Sequence, residues 1–246
     1  MLISILDINI NCLDKKIILN YIPPPLMHVV TVNSEIFLKT RFDLEYKRIL
    51  SQNYTTVDSE LLTKYLRLLY KDDNINKISG SDIVYDIFED CRTNRKSVFL
   101  LGSSKESNKK AVDSVRKKYH INIDGFSPKI GSFPINNTEY TRIFNKLELF
   151  KPNYLLVSLG APKQEKFIDY YRKDLESLGV SVAVGVGGSI DFVSGFQQRA
   201  PIIVQKLILE WFYRLIMDHS RLKRLIKIFP ILFYLLIDIY NKKLLK

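Results

Sequence analysis

The sequence predicts an α/β fold, in which a parallel sheet is flanked by helices and followed by a basic, helical C-terminal appendage. Short runs of β-branched and aromatic residues alternate with amphipathic helical patterns. This alternation is typical of parallel sheets covered on both faces, which bind ligands beyond the carboxyl ends of their strands. The charge composition changes after Gly195. We therefore predict a core over residues 1–195 and an appendage over residues 196–246.

The composition is that of a folded protein. Of the 246 residues, 46% are apolar and 26% are charged, with only 10 Gly and 9 Pro, which excludes low-complexity and disordered classes. The formal net charge of +11 favours an anionic partner: nucleic acid, lipid headgroups or a phosphorylated substrate. Two cysteines and three scattered histidines give neither a disulfide framework nor metal-ligand spacing. We expect no metal or other cofactor. Because the N-terminus lacks a signal-peptide pattern, we also expect a cytoplasmic location.

Five runs are predicted as strands and two as helices. The strands are His28–Val32, Ser97–Leu101, Ile121–Ile123, Tyr154–Leu159 and Ser181–Val186. The helices are Ser59–Tyr70 and Ser104–Tyr119, where apolar residues recur at helical spacing.

The C-terminal appendage holds most of the excess positive charge of the chain. Residues 196–246 contain ten Lys or Arg and three Asp or Glu, a net of +7. Residues 221–229 place apolar and basic side chains on opposite sides of a helix, a pattern that suits a membrane surface. The apolar run 228–237 includes Pro230 and is far shorter than the roughly 20 residues needed to cross a bilayer. A pair of core helices with a solvated basic face explains the pattern equally well.

The first candidate loop follows the predicted strand at Ser97–Leu101. Gly102 and Ser103 lead into a helix whose N-terminal N–H groups could hold a phosphate. Ser103 stands three residues before Glu106, as in a capping box. The alternative is a capped strand-to-helix junction without a ligand.

The second candidate loop contains Gly160, Ala161, Pro162, Lys163 and Gln164. Proline suits the first position of a helix, so the lysine and the glutamine fall in its first turn. The glutamine could hydrogen-bond sugar hydroxyls or a base, and the lysine could meet a phosphate. Alternatively, the turn is enriched in amide and acid because of the helix dipole.

The third candidate loop contains Gly185, Gly187, Gly188 and Asp191. Glycines allow the backbone to approach a ligand closely. A dinucleotide fingerprint would need another glycine at Ile190 and an acidic residue about twenty positions further on. Because neither condition is met, nicotinamide binding is disfavoured, and a simple tight turn is the alternative.

Polar residues also follow the first predicted strand and precede the first predicted helix. Thr31 and Asn33 lie at the end of the strand, and Asp58 lies before the helix. An aspartate at the mouth of a loop can act as a general base toward a hydroxyl, although such a residue is more often a helix N-cap.

Taken in order, these segments resemble the WecG/TagA/CpsF glycosyltransferase family, also called glycosyltransferase family 26. The resemblance extends from Ile22 to Phe229. It is carried by Thr31-Val32-Asn33, Leu155–Glu165 (LLVSLGAPKQE), Val184–Gly195 (VGVGGSIDFVSG), Arg199-Ala200-Pro201 and Leu209–Leu215 (LEWFYRL).

The resemblance implies a cytoplasmic enzyme, peripheral on the inner face of the membrane, that transfers a sugar from a UDP-sugar to a polyprenyl-diphosphate-linked acceptor. Such enzymes act in teichoic acid, enterobacterial common antigen or capsule synthesis. In the best known branch the sugar is N-acetylmannosamine and the acceptor is N-acetylglucosaminyl-diphosphate-undecaprenol. A Rossmann-like core, a C-terminal appendage that docks on the membrane and completes the site, inversion at the anomeric carbon and no metal requirement are implied as well.

The resemblance also implies roles for individual residues. Asp58 corresponds to the proposed base, although this chain has Val57-Asp58-Ser59 where the family usually has Asp-Gly after a proline. Thr31, Asn33 and Gln164 would position the sugars, and the loop 185–191 would face the nucleotide.

Departure of UDP without a metal needs fixed cations, and an arginine can contact phosphate oxygens bidentately. The candidates are Arg214, Arg221 and Arg224. For Arg221 and Arg224, contact with lipid headgroups is an equal alternative. Docking could also bring the appendage over the pocket and so assemble the site only at the lipid surface.

Two other classes stay open at this point. A nucleic-acid-binding protein would need basic residues interleaved with exposed aromatic ones, whereas the aromatic residues of the appendage lie mainly among aliphatic residues. We therefore expect no nucleic-acid partner. A Rossmann-type oxidoreductase is disfavoured by the incomplete glycine pattern, and a homo-oligomer is compatible with the sequence.

Overall fold

The computed structural model describes residues 3–5, 8–11, 14–129, 131, 133–197 and 230–244. Arg214, Arg221 and Arg224 lie outside the described residues, as do the basic amphipathic pattern at 221–229 and the LEWFYRL segment.

A six-stranded parallel sheet forms the centre of the protein. The strands are β1 (Ile3–Ile5), β2 (Ile8–Ile10), β3 (Met27–Val32), β4 (Tyr54–Val57), β5 (Ser97–Gly102), β6 (Asn122–Phe126), β7 (Tyr154–Ser158) and β8 (Val182–Gly185). The order in the sheet is β4-β3-β8-β7-β5-β6, with all pairs parallel. Strands β1 and β2 form a separate antiparallel pair. The predicted α/β class with a parallel sheet is confirmed.

Helices separate the strands along the chain. They are α1 (Lys15–Leu19), α2 (Ser34–Thr40), α3 (Leu44–Gln52), α4 (Glu60–Tyr70), α5 (Gly80–Asn94), α6 (Lys105–Tyr119), α7 (Asn137–Phe150), α8 (Lys163–Tyr170), α9 (Arg172–Ser177), α10 (Ser189–Val193) and α11 (Pro230–Leu244).

The five predicted strands and both predicted helices are present. Ser59 and Ser104 are the N-caps of the two helices, since each side-chain oxygen accepts a backbone N–H three residues on. The prediction that Ser103 caps α6 is wrong. Its φ of 61° lies in the left-handed region, whereas an N-cap is normally extended.

Helices cover both faces of the sheet. Helices α5, α6 and α10 pack on one face, and α7, α8 and α9 pack on the other. The chain therefore leaves β5 toward the first face and β7 toward the second. Between two neighbouring strands whose connections diverge in this way, a crevice opens at the carboxyl edge.

Helix α11 packs against the body of the protein. Ile231 and Leu235 are buried in the same apolar cluster as β1, β2, β3 and helices α2 to α4. The buried carboxylate of Asp238 accepts hydrogen bonds from the Tyr65 hydroxyl and from Lys242 Nζ. The boundary between core and appendage at residue 195 stays a prediction. Within the described ranges, no helix has the length and apolar character needed to cross a bilayer.

Candidate functional site

Three of the predicted loops are joined at the carboxyl edge of the sheet. The Ser103 N–H donates to the carbonyl of Ser158 at 2.8 Å, and the Ser158 hydroxyl donates to the carbonyl of Gly187. The loops after β5, β7 and β8 therefore form one continuous rim.

Gln164 supports the turn after β8 from below. Its side chain is buried, and its Oε1 accepts the Gly187 N–H at 3.0 Å. Its Nε2 donates to Glu165 Oε1 at 2.6 Å. A Cβ atom on Gly185 would lie only 2.7 Å from Gln164 Nε2 and 2.7 Å from Glu165 Oε1. The sequence therefore needs glycine at this position because the backbone rests directly on the two side chains.

Thr31 binds the same turn from the other side. Its hydroxyl is buried and donates to the Gly185 carbonyl at 3.0 Å. Thr31 thus joins β3 to the end of β8, its neighbour in the sheet.

Asp58 lies on the same rim, directly after the edge strand β4. Its N–H donates to the Val32 carbonyl at 2.7 Å, and its Oδ2 accepts the Gly80 N–H at 3.2 Å. A Cβ atom on Gly80 would lie 3.2 Å from Thr31 Oγ1 and 3.5 Å from the Val186 backbone. The half-buried carboxylate is therefore connected to the glycine turn through Gly80 and Thr31. Because Ser59 is the N-cap of α4, Asp58 does not have that role.

Asn33 is used for capping. Its Oδ1 accepts the Ile36 N–H at 2.9 Å at the start of α2. Next to it, the hydroxyls of Ser34 and Ser59 lie 3.0 Å apart. The loops after β3 and β4 are thereby held together.

Asp191 joins α10 to α6. Its Oδ1 accepts hydrogen bonds from the hydroxyls of Ser103 at 2.5 Å and Ser107 at 2.6 Å. Gly102, which precedes Ser103, has a φ of 105°, and a Cβ atom there would lie 2.3 Å from the Ser158 carbonyl oxygen. Ser103 and Asp191 thus stabilise the rim through hydrogen bonds to each other and to neighbouring residues.

The second loop presents several groups to solvent. Lys163 and Gly160 are exposed, as is Gly188 in the third loop, and Ala161 and Pro162 are half-buried. Helix α8 begins at Lys163, so Pro162 stands one residue before the helix rather than at its first position as predicted. The Ala161 carbonyl accepts a hydrogen bond from Lys39 Nζ at 2.8 Å.

Sequence reasoning missed Glu165 as a member of this site. The residue is part of the PKQE segment but was attributed only to the dipole of the helix. It is fully buried, and its Oε2 atom has no hydrogen-bond partner among the described residues. Burial raises the pKa of Glu165, and the Gln164 hydrogen bond only partly offsets this effect. A carboxyl group so far from solvent, five residues after Gly160, could be recognised only once the fold placed it beneath the glycine turn.

Together, the fold and the rim define an α/β protein whose parallel sheet carries glycine turns and a half-buried aspartate at its carboxyl edge. In the part of the chain that the structure describes, no three His, Cys, Asp or Glu residues are grouped as metal ligands would be.

The chain belongs to the glycosyl transferase WecG/TagA/CpsF family, whose model matches residues 3–244. It is therefore a glycosyltransferase by family. It is 32% identical over 209 residues to N-acetylglucosaminyldiphosphoundecaprenol N-acetyl-beta-D-mannosaminyltransferases of Staphylococcus aureus strains MRSA252, MW2 and NCTC 8325. Each alignment covers 85% of this chain and 78% of the relative. The oxidoreductase and nucleic-acid alternatives are not favoured by these findings.

Proposed function

We propose that this protein transfers N-acetylmannosamine, or a related hexose, from a UDP-sugar to a polyprenyl-diphosphate-linked sugar in the synthesis of teichoic acid or another cell-surface polysaccharide. Family membership and the printed activity of the relatives support the reaction class. The observation that carries the proposal is the position of Asp58, on the rim that also holds the glycine turn after β8.

In this mechanism Asp58 acts as the general base. Its carboxylate takes the proton of the acceptor hydroxyl while the hydroxyl oxygen attacks the anomeric carbon of the donor. The bond between that carbon and the β-phosphate oxygen breaks, and UDP leaves with the bonding electrons. A single displacement of this kind inverts the anomeric centre.

The remaining rim residues would hold the substrates. Thr31, Asn33 and Gln164 would position the sugars through the loops that they fix, and the turn 185–188 would face the nucleotide. Lys163 is exposed at the start of α8, where a lysine could approach a phosphate. Arg214, Arg221 and Arg224 would stabilise the charge that develops on UDP, so that no divalent metal is needed.

The proposed location is the inner face of the cell membrane. The acceptor is anchored in lipid, and a site that works on it must lie close to the membrane surface. The exposed apolar side chains of α11 support contact between the C-terminal part of the chain and that surface.

Replacement of Asp58 by Asn tests the proposal. An amide cannot take the proton, so we expect kcat to fall by about 10²- to 10⁴-fold while the affinity for UDP is unchanged. The measurement is transfer from a panel of UDP-sugars to a lipid-diphosphate acceptor in the presence of EDTA, together with calorimetric titration of UDP.

The matched control is Asp86→Asn, which makes the same chemical change at a carboxylate on α5 that pairs with Lys15 at the surface. This variant should turn over normally. Unchanged turnover of Asp58→Asn would remove its role as the base. Binding of NAD or duplex DNA in preference to a UDP-sugar would refute the reaction class.

A further inference from the structure

The carboxyl group of Glu165 lies directly beneath the glycine turn, although it reaches neither solvent nor the rim itself. It is fully buried, and no ion pair of the described chain includes it. Its Oε1 accepts the hydrogen bond from Gln164 Nε2 at 2.6 Å. Buried carboxyl groups are costly unless they are paired or protonated, so this one needs an explanation.

The side-chain amide of Gln164 has two different ends, and each has one partner here. Gly187 offers only an N–H and therefore requires the oxygen, at 3.0 Å. Glu165 Oε1 requires the nitrogen. If the amide were turned over, its NH2 group would face the Gly187 N–H and its oxygen would face the carboxyl oxygen. Glu165 and Gly187 thus select the same orientation of Gln164.

Close packing makes the position of this amide matter for the turn. The Gly185 backbone approaches both Gln164 and Glu165 so closely that even a methyl group would not fit between them. Any rotation of the Gln164 amide therefore shifts the backbone where β8 ends, and with it the N–H of Gly187.

Burial raises the pKa of Glu165, and the polar groups nearby only partly offset this effect on its carboxyl group. The Tyr46 hydroxyl on α3 faces it and is itself buried without another hydrogen bond. Lys39, a cation that acts on Glu165, also pairs with Glu35 at 2.9 Å and donates to the Ala161 carbonyl.

We propose that Glu165 is a positioning residue: its buried carboxyl group accepts the hydrogen bond from Gln164 Nε2, fixes the Gln164 amide and thereby holds the backbone of the turn 185–188 that receives the donor nucleotide. This inference rests on the proposed function, because it takes the turn to be the nucleotide-facing segment. Its effect belongs to donor binding, whereas that of Asp58 belongs to the chemical step.

Two substitutions of similar size separate this role from simple packing. Glu165→Gln keeps an acceptor oxygen and carries no charge, so the donor KM and the Kd for UDP should stay within about twofold of wild type. Glu165→Leu fills the space but cannot accept the Gln164 hydrogen bond. For this variant we expect KM and Kd to rise roughly tenfold, with kcat changed far less.

A double-mutant cycle tests whether Glu165 acts through Gln164. Gln164→Leu alone should raise the Kd for UDP, and adding Glu165→Leu should raise it little further, since both changes remove the same support. Thermal unfolding of each variant shows whether it is folded. If Glu165→Leu does not fold, Glu165→Met, which also lacks an acceptor oxygen, takes its place in the cycle.

The outcomes separate the two proposals. Wild-type KM and Kd in Glu165→Leu, additive effects in the cycle, or a Glu165→Gln variant as impaired as Glu165→Leu would each overturn the positioning role. A loss of kcat at unchanged Kd would also overturn it. If the wild-type protein binds no UDP-sugar, the proposed function fails irrespective of Glu165.

Discussion

Single buried residues set the pH range in which this fold is stable. His28 on β3 is fully buried, and neither ring nitrogen has a hydrogen-bond partner among the described residues. Burial, with a smaller effect of Arg172, lowers the pKa of His28 from 6.5 to about 3. Below pH 6.5, His28 binds a proton in the unfolded chain but stays neutral in the folded chain. The free energy of unfolding therefore falls as the pH decreases from 6.5 toward 3.

We expect this one group to make the protein roughly 2 kcal/mol less stable at pH 5 than at pH 7. His28→Leu removes the titration and two unsatisfied nitrogens, so the variant should lose less stability over the same interval. Urea denaturation of both proteins at pH 5 and pH 7 measures the difference. Equal losses in the two proteins would show that His28 does not titrate on unfolding.

The residues at the rim also show how far sequence reasoning reaches. The glycine turn and Asp58 are recognisable because small residues and a carboxylate follow short apolar strands. The sequence does not decide whether Asp58 or Ser59 caps α4, because moving the start of the helix by one residue exchanges the two roles. The partner of Asp58 is the Gly80 N–H, 22 positions away. Such contacts depend on the packing of α5, and no local pattern contains them.

At the scale of elements, long apolar runs were easier to predict than short mixed ones. The buried strands β3, β5, β7 and β8 have six, six, five and four residues, and all four were predicted. Strand β4 was missed because it has four residues, two of them threonines. Its hydrogen bonds come from β3, so its conformation is set by its neighbour rather than by its own pattern.

Helix α11 is fixed to the body by a buried polar cluster. Lys242 Nζ, which pairs with Asp238 at 2.9 Å, also donates to the Ser4 carbonyl and lies 3.3 Å from the Tyr70 hydroxyl. Burial, reinforced by Asp238, raises the pKa of Tyr65, so this hydroxyl remains protonated and donates. The cluster connects α11 to α4 and to the N-terminal strand pair.

Asp238→Ala should destabilise the protein by about 1–3 kcal/mol, because it leaves the buried Tyr65 hydroxyl without its acceptor and removes the ion pair with Lys242. Hydrogen exchange should show faster exchange in α11 and at the end of α4. Asp113→Ala is the control, since this carboxylate forms an exposed pair with Arg116 and should change stability by less than about 0.5 kcal/mol. Equal effects of the two substitutions would contradict the anchoring role of Asp238.

For the whole molecule, the outer face of α11 is the feature that bears on location. Leu232 is 45% exposed, and Phe233, Leu236 and Tyr240 are each 64% exposed. The opposite side of the helix is buried through Ile231, Leu235 and Asp238. Deletion of the whole appendage would therefore expose core surface and would also remove any membrane contact. Because point substitutions on the outer face change only the second of these, they are the cleaner test.

We expect Phe233→Ser combined with Leu236→Ser to weaken binding to phosphatidylglycerol vesicles by roughly tenfold or more, because apolar area is lost from the contact. Thermal stability should change little. Leu149→Ser is the matched control, since Leu149 is 87% exposed on α7. Cosedimentation with vesicles gives the affinities. Binding that survives the double substitution would place any membrane contact elsewhere on the molecule.

The position of β8 in the sheet has a consequence for synthesis on the ribosome. Among the described strands, only β8 lies between β3 and β7 in the sheet. In a nascent chain that ends before Val182, the sheet is therefore divided into two unpaired parts, β4-β3 and β7-β5-β6. Thr31 then has no Gly185 carbonyl to bind, and Gln164 has no Gly187 N–H to receive. A growing polypeptide thus cannot complete the glycine turn until about three quarters of it has been translated.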